Sequence, residues 1–416
     1  MPGARVPGLA ARYVWTGLGW LGPDDDVVFE AIIRWDLEDA LGCGILRADS
    51  DGRVNTVLMQ DQPLPGTGGG VVKHPRLPVE ASGDTLLIPA MIVGGAYERG
   101  LFAVPKGGGE PALLVGATGA DFGRAFLAPD GAAIVERVGL SSVSVLLVEE
   151  PGNPRVLLDG CAPGVDSDGA IAVARRSGGA WMVGRDGVAT ALLLPGDPAP
   201  GASGRIVDVR AAWITADGAP VVLAGTDDPA RREVLARFGI GPGTVAVSGE
   251  PAPETAGSFA SLSPAAGRSA DVVFGAAVAG DPAVSAALFR APAGAVPAIF
   301  AASGEPAADL DGVLAIEPQA AVASDSGRAA FLARVFEDGV DAGQAVFARG
   351  GSGPLARVLA LGAPIEAIPD ATIAAFLYPV RDAIRVAPDG RVLVHVGIRL
   401  DRQPSATYGA LLLARP

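Results

Sequence analysis

Residues 196–201 read "GDPAPG", a knot of glycine, proline and aspartate that fits a phosphate-cradling loop, a proline-rich docking peptide or a plain turn. Its relatives elsewhere in the chain decide between these. Similar hexapeptides stand at 249 ("GEPAPE"), 304 ("GEPAAD") and 362 ("GAPIEA"), at spacings of 53, 55 and 58 residues. Upstream, "DQPLPG" at 61 belongs to the same series, with "GATGAD" at 116 and "GCAPGV" at 160 as weaker members. Self-similarity at such a period marks propellers or solenoids. The knot is therefore punctuation: Gly and Pro break a strand, and the acid solvates the turn.

Each knot sits among the same short apolar runs. In residues 271–303, "DVVFGAAVAGDPAVSAALFRAPAGAVPAIFAAS", strands are expected over Asp271–Val278, Ala287–Ala291 and Val296–Ala301, with "GSFASLSP" ahead of them as a fourth. The first of these runs recurs eight times, from "DVVFEAII" (26–33) to "GRVLVHVG" (390–397), each time with a partner such as "GILRAD" or "GALLLARP". Short strands separated by Gly, Pro and Asp turns are antiparallel meanders. These strands are apolar on both faces, with Val272, Phe274 and Ala276 on one and Val273, Gly275 and Ala277 on the other. A lone sheet would leave one such face in water, whereas a propeller blade packs each face against a neighbour. A helical solenoid is excluded by the lack of sustained i, i+3, i+4 patterning. "DPARREVLARF" (228–238) is the best helix candidate, and it falls where a strand partner is expected.

The expected fold is all-β, a single β-propeller over residues 1–416 with about eight blades of three to four antiparallel strands. Seven blades result if the short unit at 166–195 merges with its neighbour. The approximate repeats are 9–66, 67–121, 122–165, 166–201, 202–254, 255–309, 310–366 and 367–416. The 166–201 unit has no room for a leading strand, and the chain stops before the last unit's closing strand and knot. "ARVPG" (4–8) reads as the tail end of a knot, so the expectation is that its partner strand, the natural start and a signal peptide stand upstream of Met1.

Composition narrows the function. The chain has 416 residues, 49% hydrophobic and 19% charged, with 58 Gly and 35 Pro, so a substantial core with many turns is expected. A net charge of −14 repels phosphate backbones and argues against nucleic-acid binding. No apolar run is long enough for a membrane helix. Cys43 and Cys161, the only cysteines, are 118 positions apart with no CxxC spacing, so free thiols are expected, with no zinc site and no cofactor.

The segment "SDSGRAAFLARV" (324–335), followed by "AVFARGG" and a knot, resembles the bacterial "NxxGxxAF" tandem-repeat proteins. The resemblance is sharpest from 196 to 362, with Ser where that motif prefers Asn. It implies a secreted or surface-anchored repeat protein of unassigned activity, and it supplies no catalytic residues.

Motifs with chemistry are few. "GLGWLG" (17–22) satisfies GxGxxG, yet "PDDDVVFEAII" follows it, a turn and a strand instead of the helix whose N-terminus would hold a pyrophosphate. Trp15 and Trp20 beside it are expected in a blade core. Only His74 and His395 occur, so a Ser-His-Asp triad or a multi-histidine metal site has few ways to form. His74 reads as a solvated loop residue. His395 aligns with Glu30 and Glu136 in the recurrent strand, and the three are the candidate ligand-binding residues should that position face a shared channel. A carboxylate pair with an imidazole can do acid–base work or hold a cation; the competing reading has them at strand ends. The acidic turns "PDDD" (23–26), "DSDG" (49–52) and "VDSDG" (165–169) lack the long oxygen-ligand alternation of calcium loops.

The expected role is a non-catalytic scaffold binding a protein or glycan partner, a monomer acting outside the cytoplasm or at the cell surface, with a cytoplasmic location as the alternative. The alternative role is a propeller hydrolase or lyase using channel carboxylates, with or without a divalent cation.

Overall fold

The computed structural model describes residues 5–6, 11–22, 26–36, 40–76, 80–82, 84–239, 242–267, 269–324, 326–350, 353–366, 368, 370–376, 383–387, 389–401 and 403–415. Among the described residues the named elements are β-strands. The chain divides into two compact units, residues 1–191 and 192–416.

In the first unit, β1 (Ala11–Leu21), β2 (Val27–Trp35), β3 (Leu41–Ala48) and β4 (Val54–Met59) hydrogen-bond in chain order as an antiparallel meander. A second sheet runs β5 (Val71–Pro75), β7 (Thr85–Val93), β8 (Arg99–Pro105) and β9 (Ala112–Ala117), with the short β6 (Glu80–Ser82) also on β7. A third meander holds β10 (Ala120–Leu127), β11 (Ala133–Gly139), β12 (Val143–Val148) and β13 (Pro154–Cys161). Through the single pair Cys161↔Arg176 it continues into β15 (Ile171–Arg176), β16 (Gly179–Gly184) and β17 (Ala189–Leu193). Contrary to the expectation for the 166–201 unit, a leading strand is present, as the two-residue β14 (Asp166–Ser167) paired with β15.

The second unit repeats the plan. Its first sheet is β18 (Ile206–Ile214), β19 (Pro220–Thr226), β20 (Glu233–Phe238) and β21 (Pro242–Val247). Next come β22 (Ser258–Pro264), β24 (Val272–Ala279), β25 (Ala286–Ala291) and β26 (Ala298–Ala302). The third sheet is β27 (Val313–Ala323), β28 (Arg328–Glu337), β29 (Val340–Gly350) and β30 (Ala356–Ala360), with β23 (Ala266–Gly267) parallel on β27. In the last, β31 (Ala371–Phe376), β33 (Val392–Leu400) and β34 (Gln403–Ala414) pair in order, and β32 (Ile384–Val386) also pairs with β33. The architecture is all-β and propeller-like: successive short antiparallel meanders of the blade type. The helix candidate 228–238 is a turn leading into β20, whose Val234 and Leu235 are both buried; packing on two faces overrides the helical propensity of Arg, Leu and Ala.

The knots share one backbone design. The N–H of Asp61, Gly196, Gly249, Gly304 and Gly362 donates to Val72, Ile206, Phe259, Leu314 and Ile373, the first strand of the following sheet. A one-residue bridge pairs each central proline with that strand or the residue just before it: Pro63↔Val71, Pro198↔Arg205, Pro251↔Ser258, Pro306↔Val313 and Pro364↔Thr372. The leading residue is left-handed every time, at φ 91, 85, 87 and 77° for the four glycines and 64° for Asp61. Glycine takes that conformation freely and aspartate tolerates it, which is why the repeat is visible in the sequence. The bridge Arg5↔Arg12 is of the same kind, so "ARVPG" also carries the end of a knot; part of that stretch (4, 7 and 8) lies outside the described residues.

The two-faced reading of the strands holds. Val272, Phe274, Ala276 and Val278 enter a core with Val221, Leu235 and Phe289, whereas Val273 enters another with Leu314, Phe331 and Phe347. Phe274 and Phe289 are cross-strand partners stacked at 5.4 Å, and Phe331 and Phe347 pair likewise at 5.9 Å. Gly275 lies where β27 comes closest: a Cβ there would stand 2.0 Å from the Pro318 carbonyl oxygen.

Candidate functional site

Glu30 and Glu136 occupy matching places in two sheets of the first unit. Each is on the second strand of its meander and lies beside a bulged glycine of the first: a Cβ on Gly17 would meet Glu30 Oε2 at 3.0 Å, and one on Gly123 would meet Glu136 Oε2 at 2.3 Å. The register slips there, between Thr16 and Gly19 in β1 and between Phe122 and Ala125 in β10. A bulge leaves backbone groups without ladder partners, and Glu136 takes them up. Its Oε2 accepts from Arg124 N at 3.0 Å and its Oε1 from Gly164 N at 2.7 Å, with Val165 N at 3.5 Å. The side chain is buried, so these charge-assisted bonds carry a desolvated carboxylate. Glu30 is half-buried.

His395 sits at the corresponding place on β33 in the second unit, opposite Leu411 and 1% exposed. Other first strands are served in the same manner. Glu233 accepts from Leu262 N at 2.6 Å and pairs with Arg210, and Ser303 Oγ accepts from Ile316 N at 3.0 Å. Buried polar side chains of the repeat thus hold the first strands in place, a role that sequence reasoning did not see.

Residues 17–21 of "GLGWLG" lie in β1 and Gly22 directly follows it, so there is no helix N-terminus to hold a phosphate. Trp20 packs against the core formed with Ile45 and Phe102, and Lys106 covers its ring at 5.0 Å. Of the acidic turns, Asp49 Oδ1 accepts from Arg53 N and Asp51 N, and Asp168 Oδ1 from Ala170 N and Ile171 N, so each carboxylate closes its own turn. Residues 23–25 of "PDDD" lie outside the described residues, and Asp26 is buried against Arg47 Nε at 3.2 Å. Among the described residues no group of three or more His, Cys, Asp or Glu side chains is placed to hold a metal ion.

One constellation was not anticipated. His74 is a strand residue of β5, not a loop residue, and its Nδ1 stands 3.2 Å from Cys43 Sγ on β3. Gln60, which directly precedes the knot at 61, binds both sides of Cys43. Gln60 N donates to Cys43 O at 2.8 Å, while Gln60 Oε1 accepts from Cys43 N at 3.3 Å and lies 3.3 Å from Sγ. The Lys73 carbonyl oxygen is 3.7 Å from the sulfur. A register slip between Val72 and His74 makes Lys73 the extra residue of a bulge and turns the imidazole toward β3. Cys43 is half-buried and His74 exposed.

Glu30 belongs to this neighbourhood. It pairs across the ladder with Ile45, two residues along β3 from Cys43, so Glu30, Ile45 and Cys43 share one face of the sheet. Burial raises the Cys43 pKa above the ordinary thiol value, and the negative charges of Asp61 and Glu30 push it the same way. Cys161, in the core of the third sheet, is pushed up to about 11, chiefly by burial. Both thiols are free. A neutral thiol facing an imidazole in an acidic setting is suited to meeting a cation; as a resting thiolate nucleophile it is poorly placed.

Residues 242–391 match a family of unknown function (DUF7453). No curated protein matches the sequence. Among solved structures, the chain is similar to the β-propeller domain of the Trilobed protease from Pyrococcus furiosus, with 10% identity over 82% of this chain and 92% of that one and a TM-score of 0.39. It is also similar to a puromycin-hydrolyzing peptidase of Mycobacterium tuberculosis, at 13% identity over 95% of this chain and a TM-score of 0.42. Prolyl oligopeptidase B from Galerina marginata gives 11% identity, 95% coverage and a TM-score of 0.44. The match covers 60% of the length of the first of these two peptidases and 56% of the second. At these identities and scores the likenesses carry neither activity nor residue roles to this chain.

Proposed function

We propose that the chain is a non-catalytic binding scaffold that presents the turns of its meanders to a protein or glycan partner, outside the cytoplasm. The observation that supports this is the use to which the buried acids are put. Glu136 and Glu233 spend their oxygens on backbone N–H groups and, for Glu233, on Arg210. Oxygens committed to donors within the fold are not presented to a substrate, as those of a general acid or base must be.

The test pairs binding with turnover. The purified chain is applied to an array of glycans and immobilised polypeptides, and hits are titrated by calorimetry. In parallel it is assayed against ester, peptide, glycoside and uronide substrates. Saturable binding without turnover is the expected result. Turnover abolished by Glu30→Gln or Glu136→Gln in folded protein would overturn the scaffold reading in favour of a hydrolase or lyase. Detection of the native protein in a cytoplasmic fraction alone would overturn the proposed location.

A further inference from the structure

The contact between Cys43 and His74 is not accounted for by scaffold architecture. At two other crossings the place next to the knot is filled by a side chain that caps a backbone N–H of the following strand, as Glu233 does for Leu262 and Ser303 for Ile316. Here two side chains that both bind soft metals face each other at 3.2 Å, with two neutral oxygens, Gln60 Oε1 and Lys73 O, at 3.3 and 3.7 Å from the sulfur. We propose that Cys43 and His74 form a binding site for one thiophilic, low-coordination cation of the copper(I) class, flanked by Gln60 Oε1.

The geometry suits it. With metal–sulfur and metal–nitrogen distances of about 2.3 and about 2.0 Å, a 3.2 Å separation subtends an angle of roughly 95° at the ion. Opening the pair by about 0.5 Å brings that angle to between tetrahedral and trigonal values. His74 is exposed and follows a bulge, so its ring can make that adjustment. Thiolate and imidazole are donors for soft and borderline cations, and carboxylate-loving magnesium or calcium is a poor match. With no third charged or imidazole ligand among the described residues, a closed four-ligand zinc site is not formed.

The electrostatics separate this from a nucleophile. A bare thiolate at Cys43 is opposed by burial and by Asp61 and Glu30. A monovalent cation removes that penalty: Cys–SH and the ion combine to a neutral S–metal unit, His74 Nδ1 donates its lone pair, and the thiol proton leaves to solvent. The same two carboxylates that disfavour the anion attract the cation.

The probe is copper(I) itself, titrated anaerobically into the full chain against a chromogenic copper(I) chelator, with the near-ultraviolet thiolate–metal absorption as a second readout. One equivalent is expected to bind. Cys43→Ser should abolish the absorption, and His74→Ala, which keeps the thiol, should weaken binding at least tenfold. Cys161→Ser should change neither. Circular dichroism verifies that each variant is folded. Unchanged affinity in Cys43→Ser, or a His74→Ala variant that binds as the parent does, would mean adventitious thiol capture and would overturn the proposal.

Discussion

Gly275→Ala asks whether the close approach of β24 and β27 is a structural requirement. The new Cβ would lie 2.0 Å from Pro318 O and 2.6 Å from both its carbonyl carbon and its Cα. Carbon and oxygen in ordinary contact sit about 3.3 Å apart, so one of the two backbones must retreat by more than about 1 Å. The obstacle is main chain on a strand already slipped in register between Ile316 and Ala321, and no flexible side-chain end can swing away. Overpacking of this kind costs about 1–3 kcal/mol, and a backbone obstacle places this case at the upper end. Loss of a glycine from the unfolded chain offsets about 0.4–1 kcal/mol, leaving a net destabilisation of about 2 kcal/mol. At an m-value of about 3 kcal/mol per molar, the urea midpoint falls by about 0.7 M. Hydrogen exchange should speed up in peptides covering 272–279 and 313–323. Gly107→Ala is the control, since nothing lies within 4 Å of its added Cβ and its φ is not left-handed. Equal midpoints for the two variants would refute two-faced packing at Gly275.

Glu136→Gln keeps one acceptor oxygen but turns an NH2 group toward either Arg124 N or Gly164 N, so one buried N–H loses its partner. The expected cost is about 1–3 kcal/mol in urea unfolding, and no change would remove Glu136 from its tying role. The Asp281 carboxyl is held below the usual carboxylate range, first by the N–H of Ala256 and then by that of Ala283. A depressed folded pKa gives stability that is present above the unfolded value of about 3.9 and is lost as pH falls through the folded one. Asp281→Asn should therefore flatten the acid limb of a melting-temperature profile below about pH 4, and a limb as steep as the parent's would sink the assignment. Raised pKa values make both thiols slow toward iodoacetamide at pH 8 in the native chain, Cys161 slower than Cys43, and both fast once unfolded. Mass spectrometry of quenched time points reads the order, and faster labelling of Cys161 would contradict its burial.

What the sequence revealed follows from what backbone geometry demands of particular residues. A left-handed φ at the head of each knot admits few residue types, so Gly196, Gly249, Gly304 and Gly362 advertise the repeat, and Asp61 joins it as a permitted exception. Burial on both faces of β24 likewise requires apolar residues at every position, which is legible in "VVFGAAV". Bulges make no such demand. Nothing about Lys73 or Arg124 marks it as the slipped residue, so neither the turning of His74 nor the unpaired N–H that Glu136 serves could be foreseen. Alignment did place Glu30, Glu136 and His395 at matching positions, but their bonding partners are set by chain that is distant in sequence, such as Gly164 for Glu136.

The knots carry more than punctuation because of what their backbone bonds bring together. At four of the five knots the preceding residue donates its N–H to the third strand: Gln60 to Cys43, Ser248 to Glu233, Ser303 to Ala286 and Leu361 to Gln344, whereas Pro195 before Gly196 has no N–H to give. The first residue of the knot then bonds to the leading strand of the next sheet. Third strand and next leading strand are thereby brought side by side by main-chain bonds, to which the side chains at each crossing add their own. Those side chains are free to differ, and they do: a carboxylate at Glu233, a hydroxyl at Ser303, a thiol facing an imidazole at Cys43 and His74. A repeat that fixes its crossings through backbone can change the chemistry of one crossing without disturbing the others. That independence predicts that loss of the thiol in Cys43→Ser leaves the fold intact, whereas Glu136→Gln, which strips a partner from main chain, does not leave stability intact.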